Sequence, residues 1–311
     1  MLVSLMRWFL PPKEFVASPE ALARRFSTVE GEAYTRWLAT SHYENFHVVS
    51  ILLPRRLRQD FFNVYAFCRW ADDLGDEIGD PAESARLLDW WGQELAAMFE
   101  GRAAHPVFAA LQKTKERHAL PIGPFQDLIR AFIQDQTVHR YETRDELLDY
   151  CRCSANPVGR LVLHLCGYSD SERQRLSDLT CSALQLANFW QDVSVDLEKG
   201  RLYIPLEDLR RQGCPVEDVL ERRATPAFCK ALREVTGWAR GLFQEGLPLA
   251  RMVDRRLAID VELFSRGGMR ILDKIEASGY DVLSRRPAIS RGERAWLLLT
   301  TVARAAFSKA A

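Results

Sequence analysis

Apolar residues along the chain recur mostly at three- and four-residue steps, and no persuasive alternating series appears, so the pattern predicts an all-helical protein. Pro54 is expected to divide one stretch into a short helix and a longer one. Ser18 and Thr143 are expected to cap helices, with Glu146 at capping-box distance from Thr143. Further helices are predicted over residues 19–38, 83–100, 106–118, 124–138, 145–154, 158–166, 171–195, 225–247, 248–276 and 290–308.

The chain shows no linker long enough to separate two domains, so residues 1–311 are expected to form one all-α domain. The first dozen residues, MLVSLMRWFLPP, are apolar but too short to span a bilayer, and they lack a signal-peptide cleavage site. We expect residues 1–17 to be peripheral. No other apolar stretch is long enough to span a bilayer. We therefore expect a cytoplasmic protein that can rest against the inner face of a membrane.

Composition excludes several classes of protein. Apolar residues make up 47% of the chain and charged residues 27%, which suffices for a sizeable core. Because 42 basic residues balance 42 acidic ones, no net field favours nucleic acid as a partner. The seven cysteines are scattered without metal-ligand spacing, which argues against zinc and suits a reducing compartment. Standard Gly-rich phosphate loops and G-x-S-x-G are absent, which disfavours nucleotide-dependent enzymes and serine hydrolases.

The most informative stretch is ALQLANFWQDVSVDLEKGRLYIP, residues 183–205. Leu184, Ala187 and Val195 suit a buried helical face. Polar residues at helical spacing would stack along one stripe of this helix: Gln185, Asn188, Asp192 and Asp196. Burying carboxylates side by side is costly, and a divalent cation with oxygen ligands, Mg²⁺, would offset that cost. Acidic pairs at this spacing are also common on solvated helix faces, so this stretch alone does not distinguish a metal site from a solvated face.

A second acidic helix lies upstream in YAFCRWADDLGDE, residues 65–77. Its carboxylates form two pairs one turn apart, Asp72 with Asp76 and Asp73 with Glu77. Arg69 lies one turn before Asp73. Two acidic helices facing each other across a cavity could hold Mg²⁺, and the metal ions could hold a diphosphate. The pair of motifs therefore predicts a lyase or prenyl-transfer site.

These two motifs resemble the signatures of the squalene/phytoene synthase family. SHYENF…LLPRRLR and LLDYCRCSANPVGRL extend the similarity over roughly residues 35–285. The resemblance implies an isoprenoid synthase fold with a central cavity and Mg²⁺ bound by the two acidic helices. Within the family, SHYENF and CRCSANPVGRL look most like the hydroxysqualene synthases of bacterial hopanoid pathways.

Residue roles follow from the resemblance position by position. The metal ligands would be Asp72, Asp76, Asp192 and Asp196. Residues that support the ligands or bind the diphosphate would be Arg69, Asp73, Glu77, Gln185, Asn188, Gln191, Arg201 and Tyr203. Catalytic residues, near the reacting carbons or at the cavity edge, would be His42, Tyr43, Glu44, Asn45, Phe46, Tyr65, Tyr150 and Asn156. For His42, the residues leave a role as a helix cap equally open.

Departures from the family pattern favour one reaction over another. Relatives that condense two farnesyl diphosphates usually carry a serine and a basic residue near positions 43–45 and a glycine at the position of Asn156. They often carry a tyrosine where Gly268 stands. We therefore expect the second half-reaction, in which presqualene diphosphate and water give hydroxysqualene and diphosphate, linked to other hopanoid-pathway enzymes. Tyr43, Glu44 and Asn45 are the candidates for placing the water.

Two alternatives stay open. The nearer is head-to-head condensation of two prenyl diphosphates to presqualene diphosphate, squalene or phytoene. The other is a non-catalytic helical assembly factor, the role that some relatives have in the assembly of respiratory complexes. Intact acidic motifs argue against this second alternative, because a scaffold has no reason to keep carboxylates and amides on buried faces.

Overall fold

The computed structural model describes residues 7–41 and 54–307. Its helices, in chain order, are α1 (Pro12–Val16), α2 (Pro19–Ala23), α3 (Thr28–Ser41), α4 (Arg58–Asp76), α5 (Pro81–Phe99), α6 (Pro106–His118), α7 (Gly123–Gln134), α8 (Arg144–Ser154), α9 (Asn156–Leu165), α10 (Ser171–Asp196), α11 (Leu206–Arg211), α12 (Val216–Leu220), α13 (Pro226–Gly246), α14 (Arg255–Ala277) and α15 (Arg291–Phe307). Short 3₁₀ segments cover Arg55–Leu57, Leu197–Lys199 and Leu247–Arg251. Within the described ranges, β structure is limited to an isolated bridge between Arg140 and Leu202, and no helix there is long and apolar enough to cross a membrane.

The helix predicted over residues 19–38 is wrong, because the chain forms two helices there, α2 and α3. The backbone becomes extended at Arg24, which ends α2. A capping box then starts α3: the Glu30 carboxylate accepts from the Ser27 backbone N–H at 2.8 Å, and Ser27 Oγ accepts from the Glu30 N–H at 3.4 Å. The predicted caps are confirmed, since Ser18 Oγ accepts from the Ala21 N–H and Thr143 Oγ1 from the Glu146 N–H.

The expectation that residues 1–17 are peripheral is wrong for the described part of that segment. Phe15 is fully buried, and its ring meets the Trp70 ring edge-on at 5.3 Å. The Tyr34 hydroxyl donates to the Leu10 carbonyl at 2.8 Å, and Trp8 is also buried. The described part of this apolar end is therefore part of a core, where burying each large side chain contributes about 1.5–3 kcal/mol.

The helices cluster into two compact units, and the first comprises residues 1–137 and 160–169. Helix α4 is central to it and packs against α3, α5, α6 and α7. Phe67, Trp70 and Leu74 are fully buried on α4 at helical spacing. This apolar stripe fixes the rotation of α4 about its axis, and therefore the direction in which its acidic residues point.

The second unit comprises residues 138–159 and 170–311. Its central helix is α10, which packs against α8, α13 and α14. The buried face of α10 consists of small and large apolar residues, Ala183, Leu186, Ala187, Trp190 and Val193. The sequence interpretation of this face was right for Ala187 but wrong for Val195, which is 40% exposed, and Leu184 is half-buried. The buried face of α10 is therefore the side that carries Trp190.

That residues 1–311 form a single domain stays a prediction.

Candidate active site

The first acidic motif lies at the end of α4, where one guanidinium group serves several carboxylates. Arg69 Nη2 lies 2.6 Å from Asp73 Oδ1, and this pair is one helical turn apart. Arg69 also lies 3.7 Å from Asp72 and 3.3 Å from Glu77. Lys13 Nζ donates to the Glu77 backbone carbonyl at 2.9 Å and so ties α1 to the end of α4. The structure thus brings Arg69 together with its predicted neighbours.

Asp73 lies among charged groups of both signs. Its side chain is buried, and burial raises its pKa to about 7, opposed by Arg69 and reinforced by Glu77 and Asp72. Asp72 is half-buried and Asp76 exposed, so both carboxylates of this predicted ligand pair are accessible. Carboxylates placed this close to one another favour binding of a divalent cation.

The second acidic motif occupies the last turns of α10. Asn188 is exposed, Gln185 and Asp192 are half-buried, and Gln191 is buried. The Gln191 side-chain amide donates to the Pro287 carbonyl at 2.6 Å. The predicted stripe therefore exists, with Gln191 beside it and directed at the loop between α14 and α15.

A tight reversal follows α10 and brings Arg201 back to the helix end. After the 3₁₀ turn, Gly200 has φ of 73°, a left-handed conformation that glycine adopts without the strain of a Cβ atom. The Arg201 backbone N–H then donates to the Asp196 carbonyl at 2.9 Å. This connection explains why a glycine precedes the arginine.

Asp196 experiences the same crowding as Asp73. Burial raises its pKa to about 7 and the neighbouring Asp192 carboxylate adds to this rise, while Arg201, Lys199 and Arg286 oppose it. In each unit, then, burial and a neighbouring carboxylate raise the pKa of one carboxyl group at the motif. A divalent cation bound beside two such neighbouring carboxylates of one motif would stabilise the ionised state of both groups.

Arg286 is a site residue that sequence reasoning missed. Its Nε and Nη2 both donate to the Asp192 carboxylate, the Nη2–Oδ2 distance being 3.1 Å. The two residues are 94 positions apart, and Arg286 lies in the loop between α14 and α15. No periodic pattern could have paired them. The one sequence feature that marks this loop is its run of two arginines before a proline, residues 285–287.

A buried aromatic stack lies beside the second motif. The rings of Phe189 and Tyr203 are stacked at 3.8 Å with an interplanar angle of 8°. Tyr150 lies 6.0 Å from Tyr203 and 6.2 Å from Phe189, and Tyr141 lies 5.4 Å from Tyr150. The structure thus brings together Tyr150 and Tyr203, which were predicted, with Tyr141, which was missed because it lies in the turn before α8.

The other predicted residues are more scattered. Asn156 is buried at the start of α9, and its Oδ1 accepts from the Ser182 hydroxyl at 2.9 Å, which links it to α10. Tyr65 is half-buried on α4, one turn before Arg69, and burial raises its pKa. The predicted residues His42, Tyr43, Glu44, Asn45 and Phe46 lie outside the described residues.

The donor set fits the ligand preferences of Mg²⁺. Both motifs offer carboxylate oxygens, the second adds side-chain amide oxygens, and neither contains an imidazole. The first motif contains one thiol, Cys68, whose pKa burial raises to about 12, which disfavours the thiolate that binds metal. The described residues contain no group of three or more His, Cys, Asp or Glu placed to hold a metal ion by themselves. Mg²⁺ commonly takes one or two carboxylates and completes its shell with water and substrate phosphates. A site of this kind can therefore bind metal together with a diphosphate.

Comparison with known proteins shows similarity over most of the chain. A family model described as squalene/phytoene synthase matches residues 39–293. Phytoene synthase of Thermus thermophilus is 36% identical over 260 residues, 83% of this chain and 88% of that protein. Hydroxysqualene synthase of Rhodopseudomonas palustris is 34% identical over 250 residues, 79% of this chain and 84% of that protein.

Among solved structures, squalene synthase HpnC from Alicyclobacillus acidocaldarius matches with a TM-score of 0.79 at 46% identity. The match covers 81% of this chain and 95% of that chain. It confirms the prediction of an all-helical isoprenoid synthase fold.

Proposed function

The chain belongs to the squalene/phytoene synthase family, whose members act on prenyl diphosphates, and we propose that it converts presqualene diphosphate and water to hydroxysqualene and diphosphate. This is the carbon–oxygen lyase chemistry of hopanoid biosynthesis, and it links the protein to the other enzymes of that pathway. The similarity to the HpnC squalene synthase and to a hydroxysqualene synthase supports the proposal.

The observation that carries the subtype is the contact between Gly268 and Phe243. A Cβ atom at position 268 would lie 2.2 Å from Phe243 Cζ, and the Phe243 ring is fully buried. The ring therefore fills the space into which a side chain from position 268 would extend. Condensing relatives often carry a tyrosine there, and this chain cannot seat one without moving Phe243.

Replacing Gly268 by alanine should therefore destabilise the protein. We expect a loss of about 1–3 kcal/mol in the free energy of unfolding, because the added methyl group overpacks a full core. The neighbouring Gly267 provides a matched control on the same helix, since a Cβ atom there meets nothing within 4 Å. Gly267→Ala should be neutral or stabilising by up to about 1 kcal/mol. Denaturant unfolding measures both, and equal stabilities would remove the support that Gly268 gives to the subtype.

In the proposed reaction, the residues of both motifs share the handling of the diphosphate. The metal would be held by Asp72, Asp76, Asp192 and Asp196. When bound, Mg²⁺ neutralises the charge that builds up on the leaving diphosphate. The guanidinium groups of Arg69 and Arg201 add fixed positive charge near the ends of the two acidic stripes. Gln185 and Asn188 offer amide donors for the phosphate oxygens, and for Gln191 this role falls to the amide N–H that does not bond to the Pro287 carbonyl.

The carbon–oxygen bond of the substrate breaks as both its electrons leave with the diphosphate. The cyclopropylcarbinyl cation then rearranges, and aromatic faces such as those of the stack of Tyr150, Phe189 and Tyr203 stabilise positive charge. An oxygen lone pair of one water forms the new bond to carbon, and the water loses a proton. Tyr43, Glu44 and Asn45 are proposed to place this water.

The second candidate is head-to-head condensation of two prenyl diphosphates. The 36% identity to a phytoene synthase favours it, and the same acidic motifs would serve it. A non-catalytic assembly factor is disfavoured because burying carboxylate side chains, as at Asp73 and Asp196, is costly and a scaffold has no reason to keep them.

A product assay with the purified protein and Mg²⁺ tests these candidates. Presqualene diphosphate or farnesyl diphosphate is supplied without NADPH, and the products are identified by mass spectrometry. Hydroxysqualene from presqualene diphosphate, with little turnover of farnesyl diphosphate, is the expected result. Turnover of farnesyl diphosphate to presqualene diphosphate or a C30 hydrocarbon would replace the proposed subtype with the condensing one, and a folded protein inactive on both would revive the assembly factor.

A further inference from the structure

The C-terminal helix α15 exposes a continuous apolar stripe. Trp296 is 61% exposed, Leu299 69% and Val302 39%, and the exposed Ala295 and Ala303 flank this series at helical spacing. We call these five residues the α15 stripe. The opposite side of the helix, with Leu297 and Thr301, is buried where α15 packs on α14. Large apolar side chains gathered on one exposed face mark an interaction surface.

Positive charge surrounds the α15 stripe. Arg291 and Arg294 are exposed in the first turn of the helix, and Arg304 is exposed beyond the last large member of the stripe. The acid of the first turn, Glu293, is already engaged, because Arg270 lies 2.7 Å and Lys274 3.0 Å from its carboxylate. The rim of the stripe is therefore basic.

A groove at the end of α15 concentrates this charge. It has a volume of about 460 Å³, and its lining includes Arg266 and Arg304 together with Met269 and one acid, Glu262. Arg266 donates to Thr300 Oγ1 at 2.8 Å and to Thr301 Oγ1. Burial lowers the pKa of Arg266, the charge of Arg304 lowers it further, and Glu262 opposes them. Two adjacent guanidinium groups that repel each other favour a bound anion.

We propose that the α15 stripe and its arginine rim dock onto the headgroup region of an anionic lipid bilayer. An apolar helix face with a tryptophan and flanking arginines is the pattern of interfacial helices, in which the apolar side enters the headgroup boundary and the basic side chains contact lipid phosphates. A second copy of the chain fits less well. Two α15 faces paired with each other would oppose arginine with arginine, since the acid of the first turn, Glu293, is already paired with Arg270 and Lys274.

Vesicle flotation of the full chain tests the proposal. Wild-type protein should float with vesicles of phosphatidylcholine and phosphatidylglycerol, bind vesicles of phosphatidylcholine alone more weakly, and lose its preference at high salt. Trp296→Glu and Leu299→Glu should each reduce binding about tenfold or more. Arg294→Gln with Arg304→Gln should reduce the preference for phosphatidylglycerol while retaining the residual binding to neutral vesicles.

Val29→Glu is the matched control, since Val29 is an apolar residue on α3 that is 72% exposed. This variant should float like the wild type. Thermal unfolding checks that every variant is folded. Two outcomes would overturn the proposal: binding unchanged by Trp296→Glu, or a concentration-dependent dimer in light scattering that Trp296→Glu dissociates while vesicles bind neither form. Neither outcome depends on the proposed reaction, because vesicle binding is measured without substrate.

Discussion

Replacing Asp192 by asparagine is expected to lower kcat by about 10²–10³-fold while leaving the fold intact. The substitution keeps the size of the side chain but removes the charge that the proposed metal ligand contributes. The side chain of Asp192 is 27% exposed, and its recorded partner Arg286 is 49% exposed. An ion pair of this exposure contributes about 0–1 kcal/mol, so the loss of stability should be small. This loss of stability is partly offset because the substitution removes the repulsion between the carboxylates of Asp192 and Asp196.

Glu172→Gln is the matched control for this variant. Glu172 lies in the first turn of the same helix, where it pairs with Arg175, and twenty residues of helix place it about 30 Å from Asp192. It makes the same change of charge and should leave kcat unchanged. Steady-state kinetics with Mg²⁺ and thermal unfolding of both variants are the measurements. Full turnover by Asp192→Asn would show that the Asp192 carboxylate is not needed as a metal ligand.

The site could be predicted from the sequence where its parts are local. Arg69 meets Asp73 at 2.6 Å because both lie on one helix at a spacing that the sequence displays. Arg286 could not be predicted, because a loop residue reaches Asp192 through packing that no periodicity encodes. Tyr141 joins Tyr150 and Tyr203 for the same reason. The roles proposed for residues 42–46 rest on the resemblance alone.

In the fold, too, local features could be predicted from the sequence and features that depend on distant packing could not. Helix 106–118 was predicted with the bounds that the structure has, because Pro106 and Pro121 mark its limits in the sequence. The division between α2 and α3 was missed, although Ser27 and Glu30 carry the capping-box spacing, because the apolar pattern runs across the boundary. Burial of Phe15 was missed because nothing in an isolated apolar end says which surface covers it.

Asp260 provides a prediction on stability that is separate from the site. Its side chain is buried on α14, and among the described residues its Oδ1 has no hydrogen-bond partner. Burial, reinforced by the charge of Asp254, raises its pKa from 3.8 to about 7. Below about pH 4, the carboxyl is protonated in both the folded and the unfolded protein and costs nothing. As the pH rises towards 7, the unfolded chain ionises first, so the folded state loses stability progressively, and above about pH 7 the penalty is constant.

We therefore expect Asp260→Asn to raise the free energy of unfolding by roughly 2–4 kcal/mol at pH 8, with the gain falling close to zero at pH 4. Each pH unit between the two pKa values corresponds to about 1.4 kcal/mol, and the amide keeps part of the desolvation cost. Glu276→Gln, a 60% exposed carboxylate on the same helix, is the control and should change stability by less than about 0.5 kcal/mol at either pH. Urea unfolding across pH 4–8 measures the profiles. Parallel profiles for Asp260→Asn and the wild type would show that the Asp260 carboxylate is solvated in the folded protein, because a buried carboxylate must separate them as it ionises.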